Sequence, residues 1–274
     1  MEFKTLNNGV KIPQLGYGVW KIPDEEATFA VEQAIDVGYR LIDTAKIYRN
    51  ERGVGKAIAN TNIPREDLFI TTKVWNGDQG YENTLQAFDE SLEKLGLDYI
   101  DLYLIHWPTP KYDMYVETYK AMEKIYKDGL VKSIGVCNFD IEHLERIMSE
   151  CEVKPTVNQV ECHPFLQQNE LRAFCKKHDI IVESYSPLMN GTRVLDEDAI
   201  KNIADQYGKT PAQVILRWHL QSDLVTIPKT ITPSRMKENL DVFDFELTQT
   251  DMDTIAALDR NERHNALPSE NHNR

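Results

Sequence analysis

The chain has 274 residues, of which 41% are hydrophobic and 27% are charged, and its formal net charge is −13. This composition is typical of a globular protein with a sizeable core, and the length suits one α/β barrel of about 250 residues. The acidic charge argues against a general surface for nucleic acid or for an anionic membrane, and no apolar run reaches the roughly 18 residues of a membrane span.

The cysteines and the first residues indicate a reducing compartment. Residues 1–4 show no charged-then-apolar signal pattern. No two cysteines form a C-x-x-C pair, so we predict free thiols and no metal site. The cysteines are Cys137, Cys151, Cys162 and Cys175. We therefore expect a cytoplasmic protein.

The first predicted elements are a hairpin and a series of strands. Asn7-Asn8-Gly9 predicts a β-hairpin over residues 3–12, because Asn-Gly favours the positive φ of tight turns. Eight short β-branched runs then begin at residues 15, 41, 68, 99, 131, 156, 180 and 224. Their mean step of about 30 residues fits one strand, one helix and two loops.

The segments between these runs have helical spacing. One predicted helix face carries Leu85, Phe88, Leu92 and Leu95. Thr210-Pro211-Ala212-Gln213 supplies an N-cap hydroxyl, a proline at the first helical position and a capping-box glutamine. Helices therefore alternate with strands along the chain.

Eight strand–helix units favour a (β/α)8 TIM barrel, with the hairpin at the barrel bottom. Several strands are almost continuously apolar, which indicates parallel strands covered by helices. The alternative is an open doubly wound sheet, but Gly16-Tyr17-Gly18 is followed by Lys21 where the dinucleotide fingerprint needs its third glycine. We predict a single barrel domain over residues 1–274, with a polar C-terminal tail from about residue 261.

Ionisable residues end three consecutive predicted strands, and a tyrosine follows the first of them. These residues are Asp43, Lys73, His106 and Tyr48. Each alone has a structural interpretation: a turn cap, a buried ion pair, a core histidine and a loop aromatic. Together they favour function, because active sites lie at the carboxyl ends of barrel strands and buried ion pairs are poor stabilisers.

This set suits the protonation of a carbonyl oxygen. A lysine ammonium within about 4–6 Å lowers the pKa of a phenol from about 10 by roughly 1–3 units, so we expect Lys73 to lower the pKa of Tyr48. Asp43 would keep Lys73 charged, and His106 would bind the carbonyl oxygen. Because no nucleophile is evident, we expect a cofactor to supply hydride.

Several motifs resemble the aldo-keto reductase family, and in particular its bacterial branch of glyoxal, methylglyoxal and 2,5-diketo-D-gluconate reductases. The resemblance runs from about residue 16 to residue 259. The motifs are Leu41–Ala45, Tyr48–Glu51, Thr71–Trp75, Asp101–Pro108 and Ile227–Thr230. It implies a (β/α)8 barrel, NADPH, and a catalytic tetrad of Asp43, Tyr48, Lys73 and His106, with Tyr48 as proton donor.

The resemblance also implies a cofactor site. Tyr185 would stack on the nicotinamide, Asn138 and Gln159 would bind its carboxamide, and Cys137 stands where the family usually has serine. Lys229 and Arg235 suit the 2′-phosphate of NADPH. The implied cofactor residues are Asn138, Gln159, Tyr185, Ser186, Leu188, Lys229, Thr230, Arg235, Glu238 and Asn239.

The resemblance implies an aromatic substrate pocket, whose residues are Trp20, Tyr48, Trp75, His106 and Trp107. We expect the protein to be a monomer that reduces small aldehydes and ketones such as methylglyoxal or glyoxal. Two alternatives remain at this point. One is a regulatory subunit that binds NADPH with little turnover, and the other is an aldolase that forms a Schiff base through Lys73.

Overall fold

The structure, a computed structural model, describes residues 1–268, 270, 271 and 273. The strands are β1 (Phe3–Thr5), β2 (Lys11–Pro13), β3 (Tyr17–Gly18), β4 (Leu41–Asp43), β5 (Phe69–Val74), β6 (Ile100–Ile105), β7 (Val131–Cys137), β8 (Val157–Glu161), β9 (Ile181–Tyr185) and β10 (Val225–Thr226). The helices are α1 (Asp24–Val37), α2 (Glu51–Asn60), α3 (Tyr81–Leu95), α4 (Tyr115–Lys127), α5 (Ile141–Glu150), α6 (Asn169–Lys177), α7 (Asp198–Tyr207), α8 (Pro211–Gln221), α9 (Pro233–Leu240) and α10 (Gln249–Ala256). No helix among these residues is long and apolar enough to cross a membrane.

Strands β3 to β10 form one parallel sheet in chain order, and the sheet curls until its two ends meet. Leu15 forms a parallel bridge with Thr226. The Gly16 N–H donates to the Thr226 carbonyl at 2.9 Å, and the Thr226 N–H donates to the Gln14 carbonyl at 3.0 Å. A Cβ at Gly16 would lie 2.5 Å from the Leu41 side chain, so only glycine fits this seam. The predicted (β/α)8 barrel is confirmed.

The strands are buried on both faces because alternate side chains face the barrel interior and the helices. All six residues of β5 and all six of β6 are buried. Leu102 and Leu104 belong to the interior cluster, whereas Tyr103 and Ile105 belong to the cluster between sheet and helices. This alternation decides which polar residues near the strand ends point into the barrel.

The predicted hairpin closes the amino end of the barrel. Strand β1 pairs with β2 in antiparallel register, and Gly9 has the positive φ of 87° that its turn requires. Leu6 and Ile12 are buried in the interior cluster. The Asn7 amide donates to the Pro155 carbonyl at 2.9 Å, just before β8. With this end closed, the opposite end of the barrel is left for a ligand.

The predicted helix start at Thr210 is also present in the structure. The side chains of Thr210 and Gln213 form a capping box at the start of α8, with Pro211 as its first residue. The predicted helical face at Leu85 to Leu95 lies on α3. Local sequence signals therefore fix the start of α8.

Candidate active site

The four residues predicted to carry the chemistry come together at the carboxyl end of the barrel. Asp43 is the last residue of β4, Lys73 lies one residue before the end of β5, and His106 directly follows β6. Tyr48 ends a short 3-10 turn, Lys46–Tyr48, that follows β4. Neighbouring parallel strands end at the same edge of the sheet, so side chains from distant parts of the chain meet there.

Lys73 and Asp43 form a fully buried ion pair. The Lys73 Nζ donates to Asp43 Oδ1 at 2.6 Å and to the Thr44 carbonyl at 2.9 Å. Burial alone would lower the pKa of Lys73, but Asp43 reverses the effect, and the net pKa is raised. The ammonium is therefore held charged at neutral pH. A charged lysine is a poor Schiff-base nucleophile, which argues against the aldolase alternative.

Tyr48 lies beside this ion pair, with Lys73 Nζ 5.1 Å from the centroid of its ring. Burial raises the pKa of the phenol, the charge of Lys73 lowers it, and Asp43 raises it again. The net pKa lies above its ordinary value. Our expectation of a lowered pKa was wrong, because removal from water outweighs the attraction of the cation. At neutral pH the phenol is consequently neutral and holds its proton.

His106 is packed between two aromatic rings. Its ring centroid lies 5.7 Å from that of Tyr48 and 5.3 Å from that of Trp75, both in edge-on geometry. Burial lowers the pKa of His106 well below its ordinary value, and the charge of Lys73 lowers it further. The imidazole is therefore neutral at physiological pH, so it can donate a hydrogen bond without carrying a charge.

The amides predicted to hold the nicotinamide connect with this centre. The Tyr185 hydroxyl donates to Asn138 Oδ1 at 2.8 Å, and Asn138 Nδ2 donates to the His106 carbonyl at 3.0 Å. Gln159 Nε2 donates to Asp43 Oδ2 at 2.8 Å. The Cys137 thiol donates to Gln159 Oε1 at 3.3 Å, so the cysteine retains a weak hydrogen bond at a position where serine is usual.

These residues border one cavity of about 1000 Å³ at the carboxyl end of the barrel. Every residue predicted for the site lines it, except Lys73, which lies beneath Tyr48 with no exposed side-chain surface. The predicted residues that line the cavity are Trp20, Asp43, Tyr48, Trp75, His106, Trp107, Asn138, Gln159, Tyr185, Ser186, Leu188, Lys229, Thr230, Arg235, Glu238 and Asn239.

The far end of the cavity is suited to an anion. Lys229 and Arg235 are exposed, and neither forms an ion pair with another side chain of the described residues. Helix α9 begins beside them, and the side chain of its N-cap, Thr232, makes no capping hydrogen bond. Free backbone N–H groups at a helix start, together with two cations, favour a phosphate. Glu238 instead accepts a hydrogen bond from the Thr210 hydroxyl at 2.8 Å.

Sequence reasoning missed the part of the wall that irregular segments supply. This part includes Asn190 and Leu195 from the connection after β9, Ile231, and Asn265 from the C-terminal tail. The buried carboxylate of Glu161 fixes the tail, because it accepts the backbone N–H groups of His264 at 2.7 Å and Asn265 at 2.9 Å. Contacts made by backbone groups leave no residue pattern, so the sequence carried no signal for them.

Comparison with known proteins agrees with this architecture. Residues 13–260 match the aldo/keto reductase family. The chain is 53% identical over 259 residues to methylglyoxal reductase DkgA of Escherichia coli strain K12, covering 94% of each protein. It is 55% identical over 266 residues to glyoxal reductase of Bacillus subtilis strain 168, covering 97% of this chain and 95% of the relative.

A solved structure shares the fold closely. The crystal structure of a Gox0644 mutant in complex with NADPH superimposes with a TM-score of 0.95 at 48% identity and covers 98% of both chains. The resemblance inferred from the strand-end motifs is confirmed. The chain belongs to the aldo/keto reductase family.

Proposed function

We propose that this protein reduces small aldehydes and ketones with NADPH, and that its substrates include the dicarbonyls methylglyoxal and glyoxal. The observation that carries the proposal is the position of Tyr48, which borders the cavity while the buried Lys73–Asp43 ion pair lies behind its ring. The names of the bacterial relatives, a methylglyoxal reductase and a glyoxal reductase, support the choice of substrates.

The cavity residues fit NADPH along its whole length. Tyr185 offers an aromatic face for the nicotinamide, and Asn138 and Gln159 lie beside it as carboxamide partners. At the other end, the unpaired cations Lys229 and Arg235 suit a 2′-phosphate, which distinguishes NADPH from NADH. Ser186, Leu188, Thr230, Glu238 and Asn239 would line the stretch between these ends. The NADPH complex of the related Gox0644 mutant supports this assignment.

Each member of the tetrad has a distinct part in carbonyl reduction. When bound, NADPH supplies the hydride that reduces the carbonyl carbon. Tyr48 donates its proton to the carbonyl oxygen as negative charge develops there. Lys73 stabilises the resulting phenolate, and Asp43 keeps Lys73 charged and oriented. His106, which is neutral, donates a hydrogen bond that orients the carbonyl oxygen without competing as the acid.

Aromatic side chains would bind the body of the substrate. Trp20, Trp75 and Trp107 line the cavity around Tyr48 and His106. Such a wall offers broad apolar contact and few polar groups, which suits a range of small carbonyl compounds.

We further propose that one chain, folded as a single barrel domain over residues 1–274, carries out the reaction as a monomer in the cytoplasm. The cavity takes its lining from residues between Gly18 and Asn265 of this one chain, so no second copy is needed to complete it. The four cysteines are unpaired, as suits a reducing compartment.

Replacement of the phenol hydroxyl tests the function. In Tyr48→Phe, we expect NADPH oxidation with methylglyoxal to fall by about 100- to 10,000-fold, the usual contribution of a general acid. The affinity for NADPH, measured by calorimetry, should change little. Tyr126→Phe on α4, outside the cavity, is the matched control and should keep full activity. Turnover of Tyr48→Phe near the wild-type rate would contradict the proposal.

A further inference from the structure

Glu183 is a buried carboxyl group that the mechanism above does not use. It lies on β9, opposite Gln159 on β8 and Val225 on β10 in the parallel register. Its side chain has no exposed surface and does not reach the cavity wall. A polar group so deep inside a barrel is costly unless another group binds it.

A single amide joins Glu183 to the Lys73–Asp43 pair. Gln159 Nε2 donates to Glu183 Oε2 at 2.9 Å and to Asp43 Oδ2 at 2.8 Å. Asp43 also binds the ammonium of Lys73, whereas Glu183 binds no cation among the described residues, and its Oε1 has no hydrogen-bond partner there. One side-chain amide thus bridges two carboxyl groups, of which only one has a counter-ion.

The groups around Glu183 favour its neutral form. Asp43 faces it from β4, Lys73 from β5 and the Cys137 thiol from β7, while β10 contributes only the apolar Val225. Burial and the charge of Asp43 raise the pKa of Glu183 to about 8, although Gln159 and Lys73 act in the opposite direction. Two buried carboxyl groups that are joined by one amide, with a cation bound to only one of them, cannot both ionise without a large electrostatic cost.

We propose that Glu183 is a positioning residue that acts as a neutral acid: it holds the Gln159 amide against Asp43, and its ionisation at alkaline pH slows reduction. This inference rests on the proposed function. Ionised Glu183 would place a second anion near Lys73 and draw the Gln159 amide away from Asp43. The second anion makes the Tyr48 phenol a weaker acid, and therefore a poorer proton donor to the carbonyl oxygen.

The first test compares the wild type with E183Q, which cannot ionise. Single-turnover reduction of methylglyoxal by the NADPH-loaded protein is measured at pH 6 and pH 9, so that product release does not mask the chemical step. A pKa of about 8 leaves about one-tenth of Glu183 protonated at pH 9. From pH 6 to pH 9 the wild-type rate should therefore fall more than the E183Q rate, by up to about tenfold when the ionised form has no activity. An equal fall in the two proteins would overturn the proposal.

The second test uses stability and needs neither cofactor nor turnover. The pKa of Glu183 is raised in the folded protein from an ordinary value of 4.5 to about 8. Wild-type stability, measured by urea unfolding, should therefore fall relative to E183Q as the pH rises from about 5 through about 8, and then level off. If the difference in stability between the wild type and E183Q does not change with pH, the proposal that Glu183 is a neutral acid is overturned.

Asp251→Asn is the matched control for the stability test. Asp251 is buried at the start of α10, and the Thr248 and Tyr207 hydrogen bonds lower its pKa against the opposing effect of burial. Its stabilising effect is lost only as the pH falls through that lowered pKa, so the difference between D251N and the wild type should stay constant from about pH 6 to 9.

A third measurement needs no variant, should E183Q fail to fold. Carbon-13 NMR of glutamate side-chain carboxyls in the wild type should reveal one group that titrates near pH 8, and titration of every glutamate below pH 6 would overturn the proposal. If the wild type shows no NADPH-dependent reduction, the proposed function fails and the positioning role with it. The stability and NMR titrations would still support or overturn the claim that Glu183 is a neutral acid.

Discussion

Two buried aspartates near opposite ends of the barrel hold their cations in different ways. Asp101, near the amino end of β6, binds Arg65 at 2.7 Å and Lys132 at 3.1 Å and accepts the Ile70 N–H at 2.9 Å. Both of its cations reach solvent, with 21% and 39% of their side chains exposed. Asp43, at the carboxyl end, binds an ammonium that has no exposed surface at all.

Each cluster also contains a tyrosine next to a cation. The Tyr99 ring lies 4.2 Å from both Arg65 and Lys132, and the Tyr48 ring lies 5.1 Å from Lys73. Only Tyr48 borders the cavity. Charges that keep contact with water stabilise a fold at little cost, whereas a dry ion pair stabilises it poorly and instead controls the protonation of its neighbours. On the proposed function, this difference in burial separates a structural cluster from a catalytic one.

We expect the largest effect from the Lys73→Met variant, which should lose catalytic activity. Loss of the ammonium removes the charge that stabilises the Tyr48 phenolate, so we expect kcat for methylglyoxal to fall by about 100- to 10,000-fold. Steady-state NADPH oxidation measures the loss, and circular dichroism checks that the variant is folded. A folded Lys73→Met enzyme with more than about a tenth of the wild-type kcat would break the distinction between the two clusters.

We expect the second-largest effect from the Asp101→Asn variant, which should lose stability but not activity. This variant removes the charge that both Arg65 and Lys132 face, and hydrogen bonds to charged groups are typically stronger than neutral ones. We expect the free energy of unfolding to drop by about 1–3 kcal/mol in urea titrations. The kcat at a temperature well below the unfolding transition should stay at the wild-type value. A fall in kcat of the folded variant would show that the amino-end cluster acts on the chemistry.

The smallest effect is expected for Lys132→Met, the same substitution as Lys73→Met at the other end of the barrel. Lys132 is half-exposed and shares Asp101 with Arg65, so its loss should cost less than about 1 kcal/mol. Activity should not change. Equal loss of activity in Lys132→Met and Lys73→Met would mean that burial of the lysine has no bearing on its role.

The sequence predicted the barrel, and the residues predicted for its site lie together around one cavity, because both predictions rest on local signals. Strand ends carry Asp43 and Lys73, and the surrounding motifs identify the family. The sequence could not predict the direction in which the Tyr48 pKa is shifted, because burial of the phenol depends on the whole surrounding fold. Glu183 was also missed: within Ile181–Tyr185 it resembles any polar strand residue, and only the closed barrel brings it to Gln159.

The barrel seam has a consequence for synthesis on the ribosome. The edge near Leu15 pairs with Thr226, so the first strand of the sheet lacks one neighbour until most of the chain has been made. An open strand edge is a template for pairing with other chains. Until β10 has been made, the outer edge of β3 therefore stays available for pairing with other chains.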